Sequence, residues 1–299
     1  MFSVCIPVYR YNAVPLVRAL VRQRAEMGDA EVDLEILVYD DASPDDGEWG
    51  SRELRAMPGI RYVALAENLG RAAIRNRMAR DATGTYLIML DADAELPAGY
   101  LQRYVSYPGL LHGRGDWSFG EDMVAVGGRR YQDIAPTDAR LHLHWWYGRE
   151  RESDVDYSVE QGWRGFHSNN FMVTKALLLD HPFPEETDGY GHEDTLWGQQ
   201  FTGTEVPLFR LNNAVVHLGL EADEVFLRKQ HQAIRNLHRL KNSSPHLRTR
   251  LIDFAERFPR LTRLARHLPA GRLTRYLTDN SHPDLRALDL LKLHWWAAE

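Results

Sequence analysis

The chain has 299 residues, 44% of them hydrophobic, enough to bury a core in one large domain or two merged ones. A formal net charge of −6 and a sequence pI of about 6.1 give the molecule as a whole no reason to seek nucleic acid. The single cysteine, Cys5, excludes an intrachain disulfide, and no apolar run approaches the ~18 residues that span a bilayer.

Strands and helices alternate along the first hundred residues. FSVCIPV (2–8) is an apolar strand with no charged leader ahead of it, so no signal peptide and a cytoplasmic protein are expected. Cys5 within it reads as a buried structural thiol. Residues 14–26 carry Val14, Val17, Leu20 and Val21 at helical spacing. LEILVYDD (34–41) is a second strand ending in acids, and GIRYVALAEN (59–68) a third. A helix over 70–82 and a fourth strand, TYLIML (85–90), follow. This alternation predicts a mostly parallel, Rossmann-like central sheet flanked by helices. In such sheets ligands collect at the carboxyl ends of the strands. Asp40-Asp41 and Asp91-Ala92-Asp93 both stand at such ends, so they should meet in space although distant in sequence.

The second half is less regular. A strand is expected at DMVAVGG (122–128), then an aromatic, charged stretch at 144–166 and the segment GFHSNNFMVTKALLL (165–179). DGYGHEDTLWGQQF (188–201), VPLFRL (206–211) and NAVVHLGL (213–220) come next. From 221 onward the pattern is helical, with a break at Asn242-Ser-Ser-Pro245.

The run YLIMLDADAELP (86–97) ends in three acids, Asp91, Asp93 and Glu95, whose like charges repel unless a cation or hydrogen-bond donors serve them. Two aspartates at i and i+2 on extended backbone point to the same side. With a divalent cation they make an oxygen-rich site suited to Mg²⁺ or Mn²⁺, and a nucleotide diphosphate is its natural occupant. Alone, an Asp-x-Asp is more often a solvated loop after a strand.

The wider constellation is more specific. CIPVY (5–9), VYDDASPDD (38–46), ENLGRAAIRN (67–76), LDADAELP (90–97), GYGHEDTLWG (189–198) and VVHLGL (215–220) occur in that order. With them the chain resembles the family 2 glycosyltransferases, inverting enzymes of the GT-A nucleotide-sugar fold, over about residues 1–220. Its Glu-Asp stretch is similar to the acceptor motif of β-galactosyltransferase-like and chondroitin-polymerase-like members. It departs from the family where Arg10 and Tyr11 interrupt the commoner Tyr-Asn pair and where His192 stands in place of a frequent glycine. The resemblance implies a nucleotide-sugar-binding half at 1–110, an acceptor-binding half at 111–220 and a C-terminal helical extension at 221–299.

It also implies roles residue by residue. Pro7, Val8 and Tyr9 line the base pocket, and Asp41 bonds the nucleobase edge, which suits uracil. Asn68, Gly70 and Arg75 match an Asn-x-Gly…Arg-Asn stretch, with Arg75 facing the diphosphate. Asp91, Ala92 and Asp93 form the donor motif: Asp91 takes the ribose or a bridging water, Asp93 ligates the metal, and His217 completes the metal site. Asp194 is the base and Glu193 orients the acceptor. The implied activity is transfer from a nucleotide sugar, UDP-linked by preference, to a glycan or lipid-linked glycan, as in cell-surface polysaccharide or lipopolysaccharide synthesis. The cofactor is Mn²⁺ or Mg²⁺.

Other residues have two readings each. His142, His144, Trp145 and Trp146 could stack on sugar or pack internally. His167 next to Ser168-Asn169-Asn170 resembles a segment that contacts the donor sugar, and Trp295-Trp296 suits an anchor for the last helix. Residues 241–275 carry nine Lys/Arg against two acids, a local +7, with Leu251, Phe254, Phe258, Leu261, Leu264 and Leu268 at helical spacing. Such a stretch can cap the domain or lie on an anionic membrane, which would make the protein peripheral at the inner face of the cell membrane through residues 245–275. The rival functions are an Asp-x-Asp phosphatase, which places that motif on its first strand, and a non-catalytic sugar- or nucleotide-binding protein on the same fold.

Overall fold

A computed structural model of the chain describes residues 1–28, 33–44, 48–153, 162–185 and 191–299. Its strands are β1 (Phe2–Val8), β2 (Leu34–Asp40), β3 (Arg61–Ala64), β4 (Tyr86–Leu90), β5 (Ala94–Glu95), β6 (Val124–Val126), β7 (Arg129–Arg130), β8 (Asn170–Thr174), β9 (Leu208–Arg210) and β10 (Val215–His217). Its helices are α1 (Val14–Glu26), α2 (Ser51–Ala56), α3 (Arg71–Asp81), α4 (Tyr100–Arg114), α5 (His142–Arg151), α6 (Lys175–Asp180), α7 (Glu193–Gln199), α8 (Asp223–Ser243), α9 (Arg250–Arg257), α10 (Pro259–Ala265), α11 (Ala270–Asp279) and α12 (Arg286–Ala298).

These elements fall into two compact units. Met1–Arg130, Phe166–Glu185 and Gly203–Gly219 form the first, which holds all the strands named. Tyr131–Gly165, Glu186–Thr202 and Leu220–Glu299 form the second, which holds α5, α7 and α8 to α12. The last bound, between Gly219 and Leu220, falls beside the expected start of the helical extension at 221, and the first unit takes in later segments because β8, β9 and β10 return to sheets begun by earlier residues.

In the first unit a seven-stranded sheet runs β3-β2-β1-β4-β8-β6-β9. β2 and β4 flank β1 in parallel, β3 extends β2 in parallel, and β8 alone runs against its neighbours. The mostly parallel α/β sheet expected from sequence is therefore present. Period-2 alternation sorts β1: Phe2, Val4, Ile6 and Val8 join α1 and α4 in one core through Leu16, Val17, Leu20, Tyr100 and Tyr104. α3 packs on β1 and β2. Cys5 is fully buried, and burial pushes its thiol pKa up, as befits a structural thiol. A second sheet, β5-β10-β7, pairs β10 antiparallel with β5 and parallel with β7.

Two local readings change. The third strand stops at Ala64 rather than running to 68, because residues 68–70 turn aside to serve Asp41. Helix α4 has no counterpart among the elements expected from sequence, and it carries Pro108 and Gly109 in its interior. Tyr104 and Leu111 on either side of them are buried in the core, and packing overrides the local propensity.

The second unit is helical, with apolar clusters around Leu143, Phe226, Leu277 and Leu288 and around Leu237, Leu247 and Ile252. Trp295 stacks on His231 at 4.7 Å and Trp296 lies edge-on to His238 at 4.9 Å, anchoring α12 on α8. The residues His142 to Trp146 pack within this unit. His144 stacks on Phe226 at 4.8 Å and accepts the Glu221 N–H, while the Trp145 and Trp146 indoles donate to the carbonyls of Gln132 and Pro283. Among the described residues no helix is long and apolar enough to cross a membrane.

Candidate active site

The strand order places a switch at β1, with β2 and β3 on one side and β4 on the other, so the carboxyl ends of β1, β2 and β4 face one edge. At the end of β1, Pro7 is half-buried, Val8 buried and Tyr9 47% exposed, with the Arg10 guanidinium 5.1 Å from the Tyr9 ring centroid. Arg10 and Ala42 both hold positive φ, 50° and 62°, a conformation non-glycine residues adopt where surrounding bonds enforce it. The bonds are present here. Arg10 N–H donates to Ser43 Oγ at 2.8 Å, and Ser43 N–H donates to Asp40 Oδ1 at 2.8 Å. Asp40 Oδ2 accepts from the Tyr62 hydroxyl at 2.8 Å. Asp40 is thus occupied in tying the β1 and β2 exits together.

Asp41 is buried, and its two oxygens accept the backbone N–H groups of Leu69 at 2.7 Å and Gly70 at 3.0 Å. Asn68 donates to the Asp41 carbonyl at 2.9 Å. Burial raises the Asp41 pKa, with the Leu69 and Gly70 N–H groups opposing that shift. The Asn-x-Gly stretch is therefore the cradle of Asp41, which holds the entry to α3 against the end of β2.

At the end of β4 the two aspartates separate. The Asp91 carboxylate receives Arg75 Nη2 at 2.7 Å, and Arg75 is 4% exposed, its other Nη donating to the Arg71 carbonyl. Arg75, expected to face a diphosphate, instead turns inward to Asp91 and over the Phe183 ring. The motif's Asn76 is structural: it exchanges hydrogen bonds with Phe183 and donates to Glu185. Ala92 is buried between the two acids.

Asp93 meets His217. The antiparallel register of β5 and β10 sets His217 opposite Ala94, Leu218 N–H donates to the Asp93 carbonyl at 2.8 Å, and His217 Nδ1 lies 3.4 Å from Asp93 Oδ1. Gly219 closes the other side, where a Cβ would fall 2.1 Å from Asp93 Oδ2. Desolvation would raise the Asp93 pKa, yet it is lowered, because His217, Arg129 and Arg71 outweigh burial. Tyr11 is shifted up by burial and by the Asp93 charge.

Among the described residues no group of three His, Cys, Asp or Glu stands clustered to hold a metal. Asp91, expected with Asp93 and His217, is held by Arg75. The Asp93–His217 pair still fits the expected ion. Asp93 would supply a carboxylate oxygen and His217 an imidazole nitrogen, donor types that suit Mn²⁺ and Mg²⁺.

Glu193 and Asp194 open α7 in the second unit, after His192 at φ 71°. Glu193 is buried, whereas Asp194 is half-exposed and accepts the Thr195 N–H at 2.7 Å. Gly191 is fixed by Asn236, which donates to its carbonyl at 2.6 Å. Gly189 and Tyr190, part of the expected motif, lie outside the described residues. In the Ser-Asn-Asn segment, Asn170 is a structural hub: it accepts from Tyr100 and Tyr104 and donates to the carbonyls of Gly128 and Asn213.

Three residues near Asp93 went unread in sequence: Arg71, Arg129 and Gly219. Arg71 directly follows the Asn-x-Gly stretch, which was the available signal. Arg129 and Gly219 are recognisable only once β7 and β10 are paired.

Known proteins share sequence and fold features with this chain. Residues 3–109 match the family model described as glycosyl transferase family 2. The mannosyltransferase PcManGT from Pyrobaculum calidifontis, solved with GDP-Man and Mn²⁺, is similar at 17% identity and a TM-score of 0.52, over 97% of this chain and 78% of that one. Residues 1–349 of S. aureus TarS align at 16% identity and a TM-score of 0.46, over 98% of this chain and 90% of that one.

Proposed function

We propose that this chain, whose residues 3–109 carry a glycosyl transferase family 2 domain on a GT-A type fold, moves a sugar from a nucleotide sugar to a hydroxyl of a glycan or lipid-linked glycan, with inversion. The observation that carries the reading is the Asp93–His217 pair at the carboxyl edge of the sheet, in register with β5 and β10.

Tyr9, next to Pro7 and Val8 in the chain, offers an aromatic face to a nucleobase, and Asp41, whose oxygens already accept the Leu69 and Gly70 N–H groups, would bond a uracil imide through a remaining lone pair, which favours UDP. Asp91, fixed by Arg75, is placed for a ribose hydroxyl or a bridging water. Arg71 and Arg129, whose charge Asp93 feels, suit the diphosphate better than buried Arg75. Asp93 and His217 would hold Mn²⁺ or Mg²⁺, which when bound supplies a Lewis acid for the departing diphosphate. The GDP-Man and Mn²⁺ of the Pyrobaculum protein support a metal and a nucleotide sugar as partners.

Inversion requires the acceptor hydroxyl to attack opposite the leaving group and to lose its proton as the bond forms. Asp194, at the start of α7, takes that proton, and the helix N-terminus favours its ionised form. Glu193 beside it orients the acceptor. The test is a screen of nucleotide sugars for Mn²⁺-dependent thermal stabilisation, since a ligand at ~100 times its Kd adds ~2.7 kcal/mol. A purified chain stabilised by no nucleotide sugar, with or without metal, overturns the proposal.

A further inference from the structure

Helix α10 is inside out. It buries Thr262 and Ala265 and presents Leu261 at 55% and Leu264 at 64% exposure to solvent. On α9 just before it, Phe254 and Phe258 are exposed too, their rings 5.1 Å apart. A short helix that folds only for its own core would turn its leucines inward and its threonine out. At about 3.6 residues per turn, the order round α10 is Thr262 and Ala265 inward, then Leu261 and Leu264, then Arg260 and Arg263. The apolar ridge is therefore bordered by arginines.

Those arginines lack counter-charges. Among the described residues, Arg257, Arg260, Arg263 and Arg266 are all exposed and make no ion pair; Arg257 stacks on the Phe258 ring at 5.2 Å. The nearby acids are taken by other cations: Glu256 by Lys241 and Arg248, and Asp253 by Arg164 at 3.0 Å. Arg272 and Arg275 on α11 are exposed as well. The patch is cationic on a chain that is acidic overall, so its charge is local.

We infer that α9 and α10 form a docking surface for an anionic lipid bilayer, with Phe254, Phe258, Leu261 and Leu264 entering the headgroup boundary and the arginines meeting lipid phosphates. Aliphatic and aromatic side chains lose water on entering that boundary. Arginine stems can lie along it while the guanidinium groups reach the phosphates. An acidic protein would satisfy the arginines but would not require a ridge of exposed leucines beside them. This surface lies within the second unit and is independent of the donor site.

The experiment is co-sedimentation of the full chain with phosphatidylcholine vesicles, with and without phosphatidylglycerol, at low and high salt. Binding is expected only to the anionic vesicles and is reversed by salt. Arg260→Ala with Arg263→Ala should weaken it about 25-fold, at roughly fivefold per arginine. Leu261→Ser with Leu264→Ser should weaken it at least as much while leaving the melting temperature unchanged, because both side chains are exposed. No sedimentation, equal sedimentation with neutral vesicles, or indifference to both double variants overturns the proposal. So does a concentration-dependent dimer in light scattering that the leucine variant dissolves, since a second copy would then cover the ridge.

Discussion

His217 Nδ1 lies 3.4 Å from Asp93 Oδ1 because β10 returns, more than a hundred residues later, to pair with the two-residue strand that follows the aspartate. That pairing makes a metal-dependent donor site testable. UDP should bind more tightly with Mn²⁺ than in EDTA, and Asp93→Ala should erase the difference. His217→Ala should remove less of it, because a neutral ligand is lost rather than a charged one. Calorimetry giving equal UDP affinity with and without metal would refute the site.

Gly219 offers a way to disturb Asp93 without deleting it. A methyl at this position would sit 2.1 Å from Oδ2 and 2.9 Å from Cγ of Asp93, so the carboxylate must move. Gly219→Ala should therefore reduce the Mn²⁺ dependence of UDP binding towards that of Asp93→Ala, with only a small change in melting temperature. Unchanged metal dependence would mean that the position of Asp93 is immaterial.

Arg75 pairs with Asp91, and that pair can be tested for stability. Its guanidinium is 4% exposed and paired with an Asp91 side chain that is 35% exposed. Breaking a fully buried pair costs about 3–5 kcal/mol, but water can reach Asp91, so Arg75→Met should cost about 1–3 kcal/mol. Arg75→Lys should recover part of that stability, since lysine keeps the charge but not the fork that serves Asp91 and the Arg71 carbonyl together. Denaturant unfolding of the three proteins measures both effects.

The half of the fold that sequence displays is the half whose signals are local. FSVCIPV, LEILVYDD and TYLIML announce strands because they are buried on both faces, and the acids at the ends of the latter two mark the edge where open sheets collect ligands. The expected convergence of the β2 and β4 acids at that edge follows from strand order alone. What sequence hides is long-range. Asp91 is paired because Arg75 lies one helix earlier, and the cationic neighbours of Asp93 come from β7 and the start of α3. The inversion of α10 is equally hidden, because a Leu-Thr-Arg-Leu-Ala run does not say which stripe meets the core.

Asp223 supplies a pH prediction in the second unit. It is buried at the start of α8, accepts the Leu143 N–H at 3.1 Å, and has its pKa raised by burial to about 6. An aspartate titrates near 3.9 when unfolded, so the folded state binds the proton more tightly. The stabilisation is full below the unfolded pKa and is lost as pH rises through about 6. Asp223→Asn keeps an oxygen for Leu143 and never ionises. It should be more stable than the parent at neutral pH by about 1–3 kcal/mol, a difference that closes below about pH 4. Melting temperatures across that range decide it; a constant offset at every pH would show that Asp223 does not titrate as described.

Asp194 separates a catalyst from a binder. The proposed nucleotide site draws on Asp41, Asp91, Asp93 and His217, all in the first unit, and Asp194 belongs to the second. In the proposed role of general base it should be dispensable for donor binding. Asp194→Asn keeps the shape and the oxygen that accepts the Thr195 N–H, but cannot take a proton from an acceptor hydroxyl. UDP affinity should be nearly unchanged and the transfer rate down by about 10²–10⁴, the usual worth of a positioned acid or base. Glu193→Gln should instead raise the acceptor KM, if its carboxylate orients the sugar. Until an acceptor is in hand, hydrolysis of the nucleotide sugar is the weaker readout, with water in the acceptor's place. Transfer by Asp194→Asn at the parental rate would move the base elsewhere, with Glu193 the next residue to change.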